Sequence, residues 1–310
     1  GFILDDYSDY VREHPAKVEG GVDVILLKVR KKLPRVMVNF VVIAAIAIWF
    51  LPTFGLLVTS FRPASDVAYS GWWTALSSPL KFTQYTVENY QNVLSSGGML
   101  TAFRNSFIIS IGGTVIPVFL AALAAFGLSK LNFKGRGFFY GLIVMMLVVP
   151  TQMTFIPVLR LYNVLSLSGT FGGLWLVHTG YGLPFSIFML HTFFQSLPEE
   201  LFEAAHIDGA SIWTTFLRLA IPLSVPALAS LVIFQFLAVW NDLLVALIYL
   251  GGHQSVAPLT MRLSSLVGSH GQDWHLLTAA AFVSMLVPLI VFLSLQKYFV
   301  RGLMGGAVKG

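Results

Sequence analysis

EELFEAAHIDGASIWTTFLRLAIPL, residues 199–223, is a polar, helix-prone stretch set between two long apolar runs. Just before it, Ser196-Leu197-Pro198-Glu199 has the S-x-x-E form of a capping box with Pro in the first turn. Glu199 and Glu200 stand at the positive end of the helix dipole, where acids are favoured. Leu197, Leu201, Ala204 and Ala205 follow i, i+4, i+7, i+8 spacing and share one face. Gly209 suits a helix stop in the left-handed region. Ser211 can cap a second short helix through Leu219, and Pro222 and Pro226 mark the entry into the next apolar run. The pattern predicts a helix, a glycine turn and a second helix lying across a membrane face.

The flanking sequence makes that face a membrane face. Of 310 residues, 56% are hydrophobic and only 11% charged, with mean hydropathy +0.78. Soluble domains carry roughly 25% charged residues. So little charge cannot cover a water-soluble globule of this length, and most of the exterior must meet lipid. A bilayer-crossing helix needs about 20 mostly apolar residues. Six runs qualify, at roughly 37–61, 105–129, 138–160, 172–195, 223–248 and 276–296. The expected fold is all-α: a polytopic membrane protein of six transmembrane helices, with the polar helix at about 196–222 between the fourth and fifth. Three parts are expected: an N-terminal segment 1–36, a membrane domain 37–300 and a tail 301–310. The first long apolar run begins about 35 residues in, unlike a cleavable secretion signal.

Lys and Arg set the expected orientation. With the N-terminus cytoplasmic, outside loops hold Arg62, Lys81, Arg104, Arg160 and Arg262, and the other fourteen of the nineteen basic residues lie inside. The positive-inside rule favours that arrangement. It puts both termini and the 199–223 stretch in the cytoplasm. The net charge of +5 is therefore topological, since no basic cluster alternates with aromatics as a nucleic-acid surface would. VDVILLKVRKKLPR, residues 22–35, could lie along the inner membrane surface. A plain topology-setting flank is the simpler account. Trp72 and Trp73, in the loop after the first run, suit a membrane interface.

Within 199–223, the ordered set Glu203-Ala204-Ala205, Asp208-Gly209-Ala210 and Ile221-Pro222-Leu223 resembles the EAA loop of ABC-importer permeases. An ordinary interfacial helix would explain the capping and the apolar face, but not this set at these separations. TVENYQNVL (86–94), WNDLLVALIYL (240–250) and QKYFVRGLMGGAVKG (296–310) extend the resemblance to the carbohydrate, maltose-type subfamily and to its six-span member of the permease pair. The resemblance runs from about residue 37 to the C-terminus. It implies a subunit of a bacterial or archaeal plasma-membrane importer for a sugar or small oligosaccharide, with SGWWTAL (70–76) leaning to α-glucosides. It implies as partners a second homologous permease, two ATPase subunits and an extracytoplasmic sugar-binding protein. Glu203, Ala204, Ala205, Asp208, Gly209, Ala210 and Pro222 would then couple this chain to the ATPases. The small alanines admit a partner's backbone, and Glu203 and Asp208 offer charges to its Arg or Lys. The tail Gly302–Gly310, flexible and Gly-rich, would lie within reach of the ATPases.

The chain cannot power itself. It has no G-x-x-x-x-G-K-[ST] phosphate loop and not even a Gly-Lys dipeptide. No cofactor is expected in this chain; ATP and Mg belong to the partner subunits. No catalytic arrangement is recognisable. The absence of Cys removes thiol chemistry and cysteine metal sites, and the seven His lack ligand spacing.

Polar groups within spans face a bundle interior or a water-filled path. Gln152, His178, Gln235, Trp240 and Asn241 are the candidates for a solute pathway, since a sugar needs hydroxyl partners and an aromatic face. Interhelical hydrogen bonding accounts equally well for each singly. An ion-coupled secondary transporter of small polar solutes is the alternative; it would favour ionisable groups deep in the spans, where only Asp242 and two His come near.

Overall fold

The computed structural model describes residues 35–95, 98–253, 255–266 and 273–307, with side chains from 37 to 297. Among the described residues the regular structure is all helical. The amphipathic reading of 22–35 lies outside them, save for Arg35, which starts the first helix. The chain divides into two units, one ending at Val58 and the other starting at Thr59. In the first, helix α1 (Arg35–Ser60) begins and is apolar all round, with Trp49 86% and Phe40 70% exposed. A helix hydrophobic on every side is a membrane span.

In the second unit, α2 (Ala64–Tyr69) and α3 (Glu88–Ser95) belong to the link before the second span. The buried Arg62 guanidinium organises that link, donating to the Ser70 carbonyl (3.0 Å) and Ser70 Oγ (2.6 Å). Buried Asn89 donates in turn to the carbonyls of Ser60 and Arg62.

Helices α4 (Met99–Lys130) and α7 (Phe171–Ser196) form the most extensive pair. Both helices bury small and hydroxyl side chains, Ser110 and Thr114 on α4 and Thr179 and Ser186 on α7. Small residues let membrane helices approach closely, which is the packing lipid favours. A Cβ on Gly112 would collide with the Trp175 indole, whose Nε1 donates to the Ile108 carbonyl at 3.0 Å. The last long helix, α14 (Trp274–Ala307), packs on α11 (Val225–Trp240). It continues through Ala307, where a flexible tail is expected from Gly302 onward. Each interior glycine costs a helix only about 1 kcal/mol, so the hydrogen-bond ladder can cross them.

Four helices are long and apolar enough to cross a membrane, and six spans result if two bent pairs each count as one. The third expected span is broken: α5 (Arg136–Met146) and the segment Thr151–Val164 meet at 92°. Pro150 interrupts the ladder, a 3₁₀ turn (Thr151–Thr154) follows, and α6 (Phe155–Val164) resumes. The second bent pair is Ile212–Leu223 with Val225–Trp240, meeting at 76° where the fifth expected span begins. That span is interrupted again further along. The expected run 223–248 consists of α11, a non-helical link at 241–243, and α12 (Leu244–Leu250). Asp242 stands in that link, its Oδ1 accepting from the Val245 amide at 2.8 Å as a cap for α12.

Candidate functional site

Two places carry polar chemistry. The first is the stretch after α7. Helix α8 (Glu199–Ile207) starts from Pro198, which gives it no side-chain cap. The expected capping box is not formed. Ser196 closes α7 instead, its Oγ donating to the Phe193 carbonyl at 2.7 Å. The reason is local: the residue before a proline is driven out of the α region, so Leu197 is extended (ψ 136°) and carries Ser196 away from the start of α8.

Lys130, the last residue of α4, takes over the tie. Its Nζ donates to Glu199 Oε2 at 2.8 Å and to the Leu197 carbonyl at 3.2 Å, and lies 4.2 Å from the centre of the Phe202 ring. The Lys130 side chain is only 4% exposed, the Glu199 side chain 63%.

The far end of α8 closes as the sequence predicts. Gly209 adopts φ +74°. Its amide donates to the His206 carbonyl at 3.0 Å, and the Ala210 amide to the Ala205 carbonyl at 2.9 Å. Those two bonds are a Schellman motif, which satisfies orphan carbonyls and fixes the turn. Ser211 then caps α9 (Ile212–Thr215), accepting from the Thr214 amide at 3.2 Å. A π turn (Phe216–Ala220) and α10 (Ile221–Leu223) follow, and the segment bends by 76° into α11.

The two halves are held differently. No residue of α8 is buried. Phe216 and Ala220, by contrast, are 2% and 0% exposed, in a core shared with Phe126, Leu190, Phe194 and Leu231. The Phe216 and Phe126 rings stand 5.2 Å apart. Of the seven residues singled out for coupling, Glu203, Ala204, Asp208, Gly209 and Pro222 are exposed, and Ala205 and Ala210 half-buried. Apolar side chains beside them are also bare, Ile207 at 84% and Trp213 at 61%. A cleft of about 610 Å³ opens between α8 and the end of α4, with Glu203, His206 and Ala210 on its wall.

The second place is a cleft of about 360 Å³ where the third-span break meets the 241–243 link. Gln152 and Asn241 both line it, beside Thr151, Tyr181 and Asp242. Tyr181 OH is 2.9 Å from Thr154 Oγ1 and 2.8 Å from Tyr249 OH. The other three pathway candidates lie at helix contacts. Gln235 is buried and its Nε2 donates to the Gly113 carbonyl at 3.1 Å. His178 is buried beside the same glycine. Trp240 is 2% exposed among Phe103, Phe107 and Phe236, its Nε1 donating to the Ser284 carbonyl at 3.3 Å.

Residues 117–305 match the family described as binding-protein-dependent transport system inner membrane component. That match covers more than half of the chain, including both clefts. The chain belongs to this family. It is thus an inner-membrane permease component of a binding-protein-dependent transporter, a transport subunit in kind. Among its relatives, this inner membrane component is 52% identical to the osmoprotective compounds uptake permease protein GgtD of Synechocystis sp., over 90% of this chain and 93% of that one. It is 36% identical to the alpha-glucoside transport system permease protein AglG of Rhizobium meliloti, over 88% and 97%. Its fold resembles a subunit of a bacterial ABC transporter involved in the import of the acidic polysaccharide alginate (TM-score 0.68, 20% identity, 92% of this chain and 100% of that one).

Proposed function

We propose that this chain is a permease subunit of an ATP-driven importer for a sugar or a similarly hydroxylated small solute, with a lean to α-glucosides. It works with a second homologous permease, two ATPase subunits that bind ATP and Mg, and an extracytoplasmic binding protein. Both termini and the α8–α10 segment lie in the cytoplasm. The parts divide as 1–36, the membrane domain 37–300 and the tail 301–310. The alpha-glucosides named for one relative support a hydroxyl-rich cargo.

One observation carries the coupling role: α8 ends in a fixed Schellman turn and presents Glu203, Ala204, Asp208 and Gly209 outward with none of its residues in the core. A short rigid helix bearing small residues and two acids suits a close, charge-matched grip by another protein. Ala205, Ala210 and Pro222 complete that surface, and Phe216 anchors it to the bundle. Closure of the ATPases on ATP would move this segment and, through α11, the helices beside the second cleft. Gln152 and Asn241 then face the solute, while His178, Gln235 and Trp240 hold the helices that line its path. The test is co-purification and transport. The tagged chain should bring down ATPase subunits, and Glu203→Arg with Asp208→Arg should lower both recovery of the ATPase and sugar uptake severalfold while membrane insertion is unchanged. Full recovery of ATPase with the doubly reversed variant would refute the assignment.

A further inference from the structure

Two helix interruptions, the Pro150 break in the third span and the 241–243 link between α11 and α12, have separate local causes yet open onto the same cleft. Interrupted helices at membrane depth are tolerated only where the freed backbone is buried in protein or lines a water-filled cavity. In secondary transporters such helices form the solute site, and the same backbone argument applies here. We propose that this chain carries its own solute subsite in that cleft, and that the subsite takes a neutral hydroxyl-rich solute and rejects acidic ones. The proposal rests on the transport reading above and adds the place and the charge selectivity.

The lining matches that chemistry. Asn241 donates one N–H to the Leu237 carbonyl at 2.9 Å, which leaves its carbonyl oxygen and a second N–H available for hydroxyl groups. The Gln152 amide, also exposed, presents both donor and acceptor. The Asp242 carboxylate accepts from the backbone amides of Val245 and Leu244 and, with about four acceptor sites on its two oxygens, keeps capacity for a solute hydroxyl. Thr260 Oγ1 donates to the Asp242 carbonyl at 2.9 Å and holds that link in place. Phe155 and Tyr181, ring centres 6.0 Å apart, supply an aromatic wall for the apolar face of a sugar ring. Among the described residues lining the cleft there is no Lys, Arg or His, so an anion would meet a carboxylate and nothing to offset it. The volume is near the lower bound of ligand sites, roughly 300–1,000 Å³, and suits one sugar unit better than a long oligosaccharide.

The absence of native cysteine allows a direct test. Gln152→Cys and Asn241→Cys are expressed in the assembled transporter in native membrane vesicles. Each is treated with cationic and anionic methanethiosulfonates, with rates divided by those for a free thiol in solution. Both cysteines should react, and the cationic reagent should be favoured about tenfold, the lower end of charge focusing in a cleft. Asp242→Asn should remove most of that preference. Methyl α-glucoside should slow the labelling at least severalfold, and glucuronate should not. Unreactive cysteines in chains whose Glu203→Cys counterpart labels normally would overturn the subsite. A preference for the anion, a ratio unchanged by Asp242→Asn, or protection by glucuronate or by neither sugar would overturn its selectivity. Failure of the transport reading shows separately, as absence of a co-purifying ATPase, because the labelling needs no turnover.

Discussion

Gly209 combines a φ of +74° with open space around a would-be Cβ. A side chain there meets strain without collision. The left-handed region costs an L-residue roughly 1–2 kcal/mol, and less for Asn. Gly209→Asn should therefore keep most uptake, and Gly209→Val should lose it severalfold with insertion intact, read as uptake per unit of membrane-inserted protein. This turn was legible because every partner in it lies within five residues. Lys130 was not. Its partner Glu199 is 69 positions away, and the sequence offers only a lone cation at the end of an uncharged run. Charge counting used it for topology and could not see the clasp. The pathway candidates divide for the same reason. Composition marks a polar residue inside a span, but the break that turns Gln152 to the cleft and the packing that turns Gln235 to Gly113 are tertiary facts.

At the scale of elements, α8 is held from one side by Lys130 and from the other through Phe216. Phe216→Ala should cost about 3–5 kcal/mol, the usual range for a buried aromatic, and show as a lower midpoint of thermal unfolding in detergent. Lys130→Met keeps the aliphatic stem near Phe202 but loses the bonds to Glu199 and Leu197. Because Glu199 is largely exposed, the loss of stability should be small, about 1 kcal/mol or less. The uptake achieved per ATP hydrolysed should nevertheless fall severalfold, with Lys130→Arg in between. An unaltered ratio in Lys130→Met would show that α8 needs no tie to α4. The span count came from the same apolar runs that the helices occupy. Their breaks did not, because hydropathy registers composition and is blind to direction. Pro150 explains why the ladder stops, yet a bend of 92° depends on what packs around it.

For the whole molecule, the orientation predicted by basic residues has a simple check. Glu203→Cys should react with a membrane-impermeant thiol reagent only from the cytoplasmic side, and Lys81→Cys only from the other. Labelling of both from one side would reverse or break the topology. The broken third span bears on how the protein is made. Around its gap Val148 is 81% and Met153 74% exposed, so this turn lies on the outside of the chain. Hydrocarbon offers no hydrogen bonds to the amides and carbonyls of a helix end. Short-range bonds from the amides of Leu147, Val148 and Val149 close part of that end. A companion permease seated over the flank would shield the rest, and membrane proteases should clear the newly synthesised polypeptide faster when that companion is missing, as a pulse-chase would record.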